Sequence, residues 1–323
     1  METIIVTGIG GNVGQGVLRN IRDSFPDINI IGIDIATFTP GNYLCNKTYK
    51  VPYAYDLNYV TTIQQIVETE KVNLIIPTTD YEIYYISLNQ QKINCKVAVS
   101  NADIAKIYLD KYETYKHHFS NNIPFATTWS IHDYNNQASS IIAKPREGRG
   151  SRGVLKNPNN LEGLSDDYII QPLIEGVEIT TAVYITQQNK IHGIFTMERE
   201  LTNGTTSKSK VTTIYDEELL KIVKKMVAFN KLRGSFNIQS IVTNDGDIIP
   251  FEINCRISGT NSIRHKLGFQ DVKYTIQEYL YNEEPEKPNP IQGVATRILL
   301  DIIYPDATNE EKLNNSSSKH IIY

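Results

Sequence analysis

An excess of basic residues is missing: 32 Lys and Arg stand against 36 Asp and Glu, a formal net charge of -4. The chain therefore offers no broad positive field to nucleic acid or to an anionic membrane, and small-molecule partners are favoured. Cysteine is also scarce. Cys45, Cys95 and Cys255 lie far apart without a Cys-x-x-Cys pair, which excludes a disulfide framework and a cysteine zinc site and fits a reducing compartment. The six histidines add no metal-ligand spacing. No apolar run reaches the length of a membrane span, and Met1 to Gly8 enters a strand-like stretch with no basic leader, so a cytoplasmic protein is expected. What is present is apolar material: 323 residues at 40% hydrophobic content are enough for two domains with real cores.

The first hundred residues alternate short apolar runs, Ile4 to Val6, Ile30 to Ile33, Leu74 to Ile76 and Val97 to Val99, with helix-like segments. That order predicts an α/β unit built on a parallel sheet. Between the first two runs lies Gly8-Ile9-Gly10-Gly11-Asn12-Val13-Gly14, whose glycines permit a tight turn and a close helix, and Asp34 ends the second run where a ribose-binding acid sits in dinucleotide folds. Tyr112 and Lys116 even supply a Tyr-x-x-x-Lys pair. Read alone, these features predict a reductase or nucleotide-sugar epimerase. The remaining two thirds of the chain do not suit that reading.

The middle changes character. Ser139 to Lys144 is an apolar run ending in lysine, followed by Pro145-Arg146-Glu147-Gly148-Arg149-Gly150-Ser151-Arg152-Gly153, a basic, glycine-rich, hairpin-like loop. Small residues let backbone N–H groups converge on an anion and the cations add charge; a solvated surface turn is the alternative. Ile169 to Thr180 reads as strand, bend, strand, punctuated by Pro172 and Gly176. Asp216 to Arg233 carries a helical apolar stripe, with Asp216 as expected N-cap and Gly234 as stop. Phe236 to Val242 and Ile248 to Ile257 are two strands joined at Asn244-Asp245-Gly246-Asp247, Val294 to Ile303 is a further strand-like run, and Asn309 to Lys319 is expected to be mobile.

Within the second of those strands Glu252, Asn254 and Arg256 alternate with apolar residues or cysteine. Period two puts carboxylate, carboxamide and guanidinium on one face, with Gln239 and Asn237 facing them from the neighbouring strand. Oxygen donors of this kind suit magnesium shared with a polyphosphate, and an arginine fork pairs with phosphoryl oxygens; the alternative is a strand with one wet face.

In order and spacing, Asp110-Lys111, Lys144-Pro145-Arg146, Gly150 to Val154, Gln171 to Glu178, Gly234, Gln239 and Glu252-x-Asn254-x-Arg256-x-Ser258-Gly259 resemble the ATP-grasp superfamily. The likeness is to short proteins similar to half of the carbamoyl phosphate synthetase large subunit, and it covers nearly the whole chain. It implies a Rossmann-like parallel-sheet domain over residues 1–100 and an α+β, two-subdomain ATP-grasp fold over 101–323. The latter divides into a lid at 121–172, a metal and catalytic part at 173–305 and a mobile tail at 306–323.

The same resemblance implies residue roles. Lys111 and Lys144 would hold ATP phosphates beneath a flap containing Arg149, Gly150, Ser151 and Gly153. Gln171, Leu173 and Ile174 would read adenine through their backbone, and Glu178 would bind the ribose. Gln239, Glu252 and Asn254 would hold Mg2+, with Mn2+ as a substitute, while Arg256, Lys144 and Arg199 would serve catalysis. Arg199 has a surface salt bridge to Glu198 or Glu200 as its alternative. For the second substrate, Arg264 and the segment containing Asp80 and Glu82 are the candidates, with helix capping as the alternative for the two acids.

The implied activity is ATP-dependent carboxylate-amine ligation through an acyl phosphate, with small-molecule carboxylate and amine partners and no nucleic acid or membrane. Bicarbonate or carbamate phosphorylation and an NAD(P)-binding reductase or redox module are the alternatives. A homodimer is the expected assembly.

Overall fold

Short β-branched runs need cover on both faces, and over the first hundred residues they find it between helices. In the computed structural model, which describes residues 1–148 and 150–323, the leading elements are β1 (Thr3–Thr7), α1 (Asn12–Ser24), β2 (Asn29–Asp34), β3 (Lys47–Lys50), α2 (Tyr59–Glu70), β4 (Leu74–Ile76), α3 (Asp80–Asn89) and β5 (Lys96–Val97). The strands form one parallel sheet in the order β3-β2-β1-β4-β5. Alternation divides its core. Ile5, Ile31, Ile33 and Ile75 face the side of Ile63, Ile66, Ile83 and Ile86, whereas Ile4, Val6, Ile30 and Leu74 pack with Val17, Leu18 and Ile21 of α1.

Two helices, α4 (Ala102–Leu109) and α5 (Lys111–Ser120), lead into a four-stranded antiparallel sheet of β6 (Trp129–Ser130), β7 (Ile141–Pro145), β8 (Leu155–Lys156) and β9 (Tyr168–Pro172), in the order β6-β9-β7-β8. The larger antiparallel sheet follows, with β10 (Val177–Ile185), β11 (Ile191–Thr202), β12 (Thr205–Thr212), then α6 (Asp216–Phe229), β13 (Gly234–Val242) and β14 (Ile248–Asn254). Ile222, Val223 and Met226 of α6 bury against Val183, Phe236, Ile238 and Ile253 of that sheet.

The helix is shorter than its apolar stripe suggests, and Tyr215, not Asp216, is its N-cap. Its end has a local cause: Asn230 turns extended, and its amide donates to the Met226 carbonyl at 2.8 Å.

After β14 the chain returns to the first sheet. Helices α7 (Asn261–Lys266) and α8 (Asp271–Ile276) lie against α1, and Ile257, Val272 and Ile276 complete the core beside Ile4 and Val6. The apolar run at 294–303 splits. Its first part, β15 (Val294–Thr296), pairs with β12, and its last residues form β16 (Ile302–Ile303), paired with β17 (Ile321–Ile322). The tail expected to be mobile is docked on the first domain: Asn42 donates to the Leu313 carbonyl (2.8 Å), Thr48 to the Asn314 carbonyl (3.0 Å) and the Ser316 N–H to the Cys45 carbonyl (2.6 Å). Among the described residues, no helix is long and apolar enough to cross a membrane.

Candidate nucleotide and metal site

The hairpin of β13 and β14 brings the polar side chains together. Gln239 stands opposite Glu252 and Asn237 opposite Asn254, but the register shifts between Gln239 and Ser240, which next pairs with Pro250. Phe251 is thus the extra residue of a β-bulge, a device that bends a strand and re-aims its side chains. Pro250 is tolerated because β14 is the sheet edge. From the bulge a hydrogen-bonded row runs across the sheet. Asn254 donates to Glu252 (3.1 Å), Gln239 donates to Asn254 (3.0 Å), and Arg199 donates both to the Gln239 carbonyl oxygen and to Glu178 (2.5 and 2.9 Å). Arg199 therefore pairs across strands with Glu178, not with Glu198 or Glu200, which its own strand turns to the other face.

Opposite this row stands Lys144 on β7. Its side chain is buried, and its Nζ donates to the Phe251 carbonyl at 3.3 Å and lies 5.0 Å from the Phe251 ring centroid. The bulge thus sets the lysine beside Glu252. Burial pushes the Lys144 ammonium down to about 8, against the opposing pull of Glu252 and Glu178. Burial alone would raise the Glu252 carboxyl. The fields of Lys111 and Lys144, the Asn254 hydrogen bond and Arg256 outweigh it and hold Glu252 below its usual range.

Lys111 opens α5 and is also buried, with Nζ at 3.2 Å from the Arg146 carbonyl. Asp110 caps that helix through the N–H groups of Tyr112 and Glu113, and it grips Arg146 at 2.6 Å. Arg146 and Asp110 are thus a brace holding Lys111 in place. Charge complementarity at Asp110-Lys111 and Lys144-x-Arg146 is the sequence signal that would have found it. The Tyr112 and Lys116 pair is local, with Lys116 bound to Glu113 at 2.6 Å and placed over the Tyr112 ring.

Other expected residues are distributed unevenly. In the flap, Gly150, Ser151 and Gly153 all take positive φ, at 63°, 55° and 71°, which turns the chain tightly; Arg149 lies outside the described residues. Gln171 buries its side chain against Thr128 (2.8 Å), and the Leu173 N–H is spent on the Ser140 carbonyl (2.9 Å), so Leu173 offers a ligand its carbonyl rather than its N–H. Ile174 follows β9 in the bend before β10 and is half-buried. Strand β14 ends at Asn254, so Arg256 lies beyond it and donates to Asp80 at 2.9 Å. That ion pair joins the metal-side hairpin to the first turn of α3.

Two substrate candidates have structural duties instead. Glu82 turns inward, accepting from Thr7 (2.5 Å) and Thr79 (2.7 Å), while its N–H donates to the Thr79 hydroxyl: a capping box closing the start of α3. Burial raises its carboxyl above the usual range. Arg264 is 0% exposed and forks onto the equally buried Asp271 (2.5 and 3.2 Å), with Ser258 and Thr260 taking its other donor. Charge alone says nothing about which way an arginine points, and the fold turns this one inward.

The leading glycine turn is likewise self-contained. Asp34 accepts the Gly10 N–H at 2.9 Å and the Ala36 N–H at 3.2 Å, so this acid closes its own loop.

Asp80, Tyr81, Tyr108, Lys111, Gly148, Glu252 and Asn254 border a narrow cleft. Its donors fit a hard cation: Glu252 brings a carboxylate, and the Asn254 and Gln239 carbonyl oxygens each have a second lone pair beyond the hydrogen bond already accepted. Among the described residues no three His, Cys, Asp or Glu gather as a metal cluster. Such a cation would thus depend on ligand oxygens for much of its charge balance, which is magnesium's habit with nucleotides.

Two family models match the chain: one described as PylC-like, N-terminal domain, over residues 4–99, and one described as ATP-grasp domain, over residues 108–260. A search of curated proteins finds no match. Among solved structures, N5-carboxyaminoimidazole synthetase from Staphylococcus aureus, complexed with ADP, is similar at a TM-score of 0.76 and 14% identity, covering 92% of this chain and 82% of that one. The biotin carboxylase domain dimer of Hydrogenobacter thermophilus 2-oxoglutarate carboxylase, with MgADP, ADP and bicarbonate, gives 0.71 and 13%, covering 90% and 73%. The L-amino acid ligase of Bacillus licheniformis gives 0.68 and 12%, covering 89% and 75%. At such identities the structures speak for the fold, and the family models speak for the parts: the chain carries an ATP-grasp domain over residues 108–260 behind a PylC-like N-terminal domain over residues 4–99.

Proposed function

We propose that this protein is an ATP-dependent carboxylate-amine ligase that forms an amide or peptide bond with release of ADP and phosphate. One observation carries the reading: the hydrogen-bonded row Glu178, Arg199, Gln239, Asn254, Glu252 ends on a carboxylate that lies in the field of two buried lysines, Lys111 and Lys144. The solved structures of similar fold, which include an L-amino acid ligase, an N5-carboxyaminoimidazole synthetase complexed with ADP and a biotin carboxylase domain with MgADP, support the same class. Residues 101–323 serve the nucleotide and residues 1–100 shape the acceptor side, in a cytoplasmic and homodimeric enzyme.

Glu252, Asn254 and Gln239 would hold Mg2+, which neutralises phosphate charge when bound. Lys111 and Lys144 bind the phosphates, Glu178 the ribose hydroxyls, and the backbone of Gln171 to Ile174 the adenine. The γ-phosphoryl group passes to the acceptor carboxylate, giving an acyl phosphate and ADP; the amine then attacks the carbonyl carbon and phosphate leaves. Lys144 and Arg256 offset the charge that develops during transfer, so the protein contributes positioning and electrostatics and no nucleophile. The flap at Gly150 to Gly153 excludes water that would hydrolyse the acyl phosphate.

The test is ADP release over a matrix of organic acids, bicarbonate and amines, with mass detection of product and hydroxylamine as a trap for the acyl phosphate. A hydroxamate formed only with an organic acid supports the proposal. ADP release with bicarbonate alone replaces it.

A further inference from the structure

At the carboxyl edge of the first sheet, the segment after β3 displays aromatic rings that the nucleotide site does not use. Tyr53 and Tyr55 stack in parallel, with centroids 5.2 Å apart and planes 4° apart, yet they remain 45% and 53% exposed. Tyr55 also meets Tyr81 edge-on at 6.2 Å. Tyr81 borders the cleft beside Asp80, Lys111 and Glu252. The three rings therefore run as a continuous ladder from the surface to the cleft at Tyr81.

The ladder is preorganised. The Tyr53 N–H donates to the Asp56 carboxylate (3.0 Å), the Asp56 N–H returns to the Tyr53 carbonyl (2.9 Å), and the Tyr59 N–H donates to the Asp56 carbonyl (3.0 Å). Tyr59 itself is fully buried in the sheet's core and anchors the turn. Exposed aromatic rings held rigidly beside a binding cleft give large contact area at small entropic cost. Parallel sheets also take ligands at this edge. The rings offer π-faces and hydroxyls but no charge, so they suit the uncharged end of a substrate whose charged end lies toward Arg256.

We infer that Tyr53, Tyr55 and Tyr81 form an acceptor subsite for a planar aromatic group, making the acceptor an aromatic acid. The inference rests on the acceptor side proposed above. An incoming ring prolongs the existing stack, whereas a saturated ring of equal size lacks the flat face needed to do so.

The test uses two probes, 3-phenylpropionate and 3-cyclohexylpropionate, titrated by ligand-observed NMR into the full protein loaded with Mg-ADP. The phenyl acid should bind about fivefold more tightly, within the range expected for aromatic pairing. Tyr55→Leu and Tyr53→Leu should abolish that preference, Tyr55→Phe should keep it, and glucuronate should bind no better than the cyclohexyl acid. Equal binding of phenyl and cyclohexyl acids, binding of neither, preference for glucuronate, or a preference unchanged in both leucine variants overturns the inference. A parallel thermal shift with Mg-ATP separates the two readings. A normal shift without phenyl preference leaves the nucleotide site standing and removes the ladder, while phenyl preference without a shift does the reverse.

Discussion

Two glycine-rich turns in this chain have similar composition and opposite surroundings. At Gly8 to Gly14 the backbone is packed onto itself: a Cβ on Gly14 would meet the Gly8 carbonyl at 2.3 Å, and one on Gly8, at φ +55°, would meet the Thr78 hydroxyl at 2.8 Å. At Gly150 a Cβ would meet nothing within 4 Å, although the Gly150 carbonyl is itself approached by Gly204, where a Cβ would meet it at 2.2 Å. The first turn spends its N–H groups internally, on Asp34 and Gly8. Gly148, which opens the second, borders the cleft lined by Lys111 and Glu252. Glycine permits close approach in both cases: in the first the turn packs on its own glycines, and in the second Gly204 packs on the Gly150 backbone while the Cβ side of Gly150 stays open.

Glu252→Ala should lower Mg-dependent ADP formation by about a thousandfold or more, the range expected when the carboxylate of a metal site is lost. Its melting temperature should stay within a few degrees of the parent, and undiminished turnover would remove Glu252 from the metal site. Gly14→Ala should do the opposite. Its clash is with backbone, so it should cost about 3 kcal/mol in urea unfolding; a stable Gly14→Ala protein would show that the first turn is not locked.

Lys144→Ala should weaken Mg-ATP binding about 10- to 100-fold by calorimetry, as for a lost charged hydrogen bond. A pH series gives the sign. Because burial brings Lys144 to about 8, it loses its proton as pH rises through that value, and ATP affinity should fall there. At pH about 9, binding should take up a proton, seen as a buffer-dependent enthalpy, because phosphates favour the ammonium form. For folding the effect runs the other way. The folded pKa is lower than the unfolded one, so the unfolded chain holds more protons between these values and this group makes stability rise with pH across that window. Lys144→Ala should flatten the pH dependence. The smallest effect belongs to Gly150→Ala, where positive φ costs about 1 kcal/mol without a clash; a larger loss would mean that the flap is packed as tightly as the first turn.

Much of the sheet architecture was legible in short range. The unbroken apolar run Ile4, Ile5 and Val6 implied a strand covered on both faces, and the core splits those residues accordingly. The turn at Asn244 to Asp247 marked the hairpin that sets Gln239 opposite Glu252. Long-range choices were hidden. Alternation put Arg256 in line with Asn254, but the strand stops at Asn254 and Asp80, 176 positions earlier, captures the guanidinium. Arg264 and Glu82 looked available as charged residues in polar stretches. Glu82 is taken inward by Thr7, 75 residues earlier, which no local pattern announces; Arg264 pairs with Asp271 only seven residues on, but both side chains are buried by the packing of their two short helices against the first domain.

By itself, then, the sequence determined which residues are able to do chemistry and which segments form strands, because period, turn residues and charge are local properties. Tertiary structure decided how each group is used. It inserted Phe251 as a bulge so that its carbonyl meets Lys144, stretched Arg199 between Glu178 and Gln239, and closed the first glycine turn on Asp34. The reason is physical: a side chain's protonation, direction and access depend on what desolvates and pairs it, and those neighbours come from distant parts of the chain.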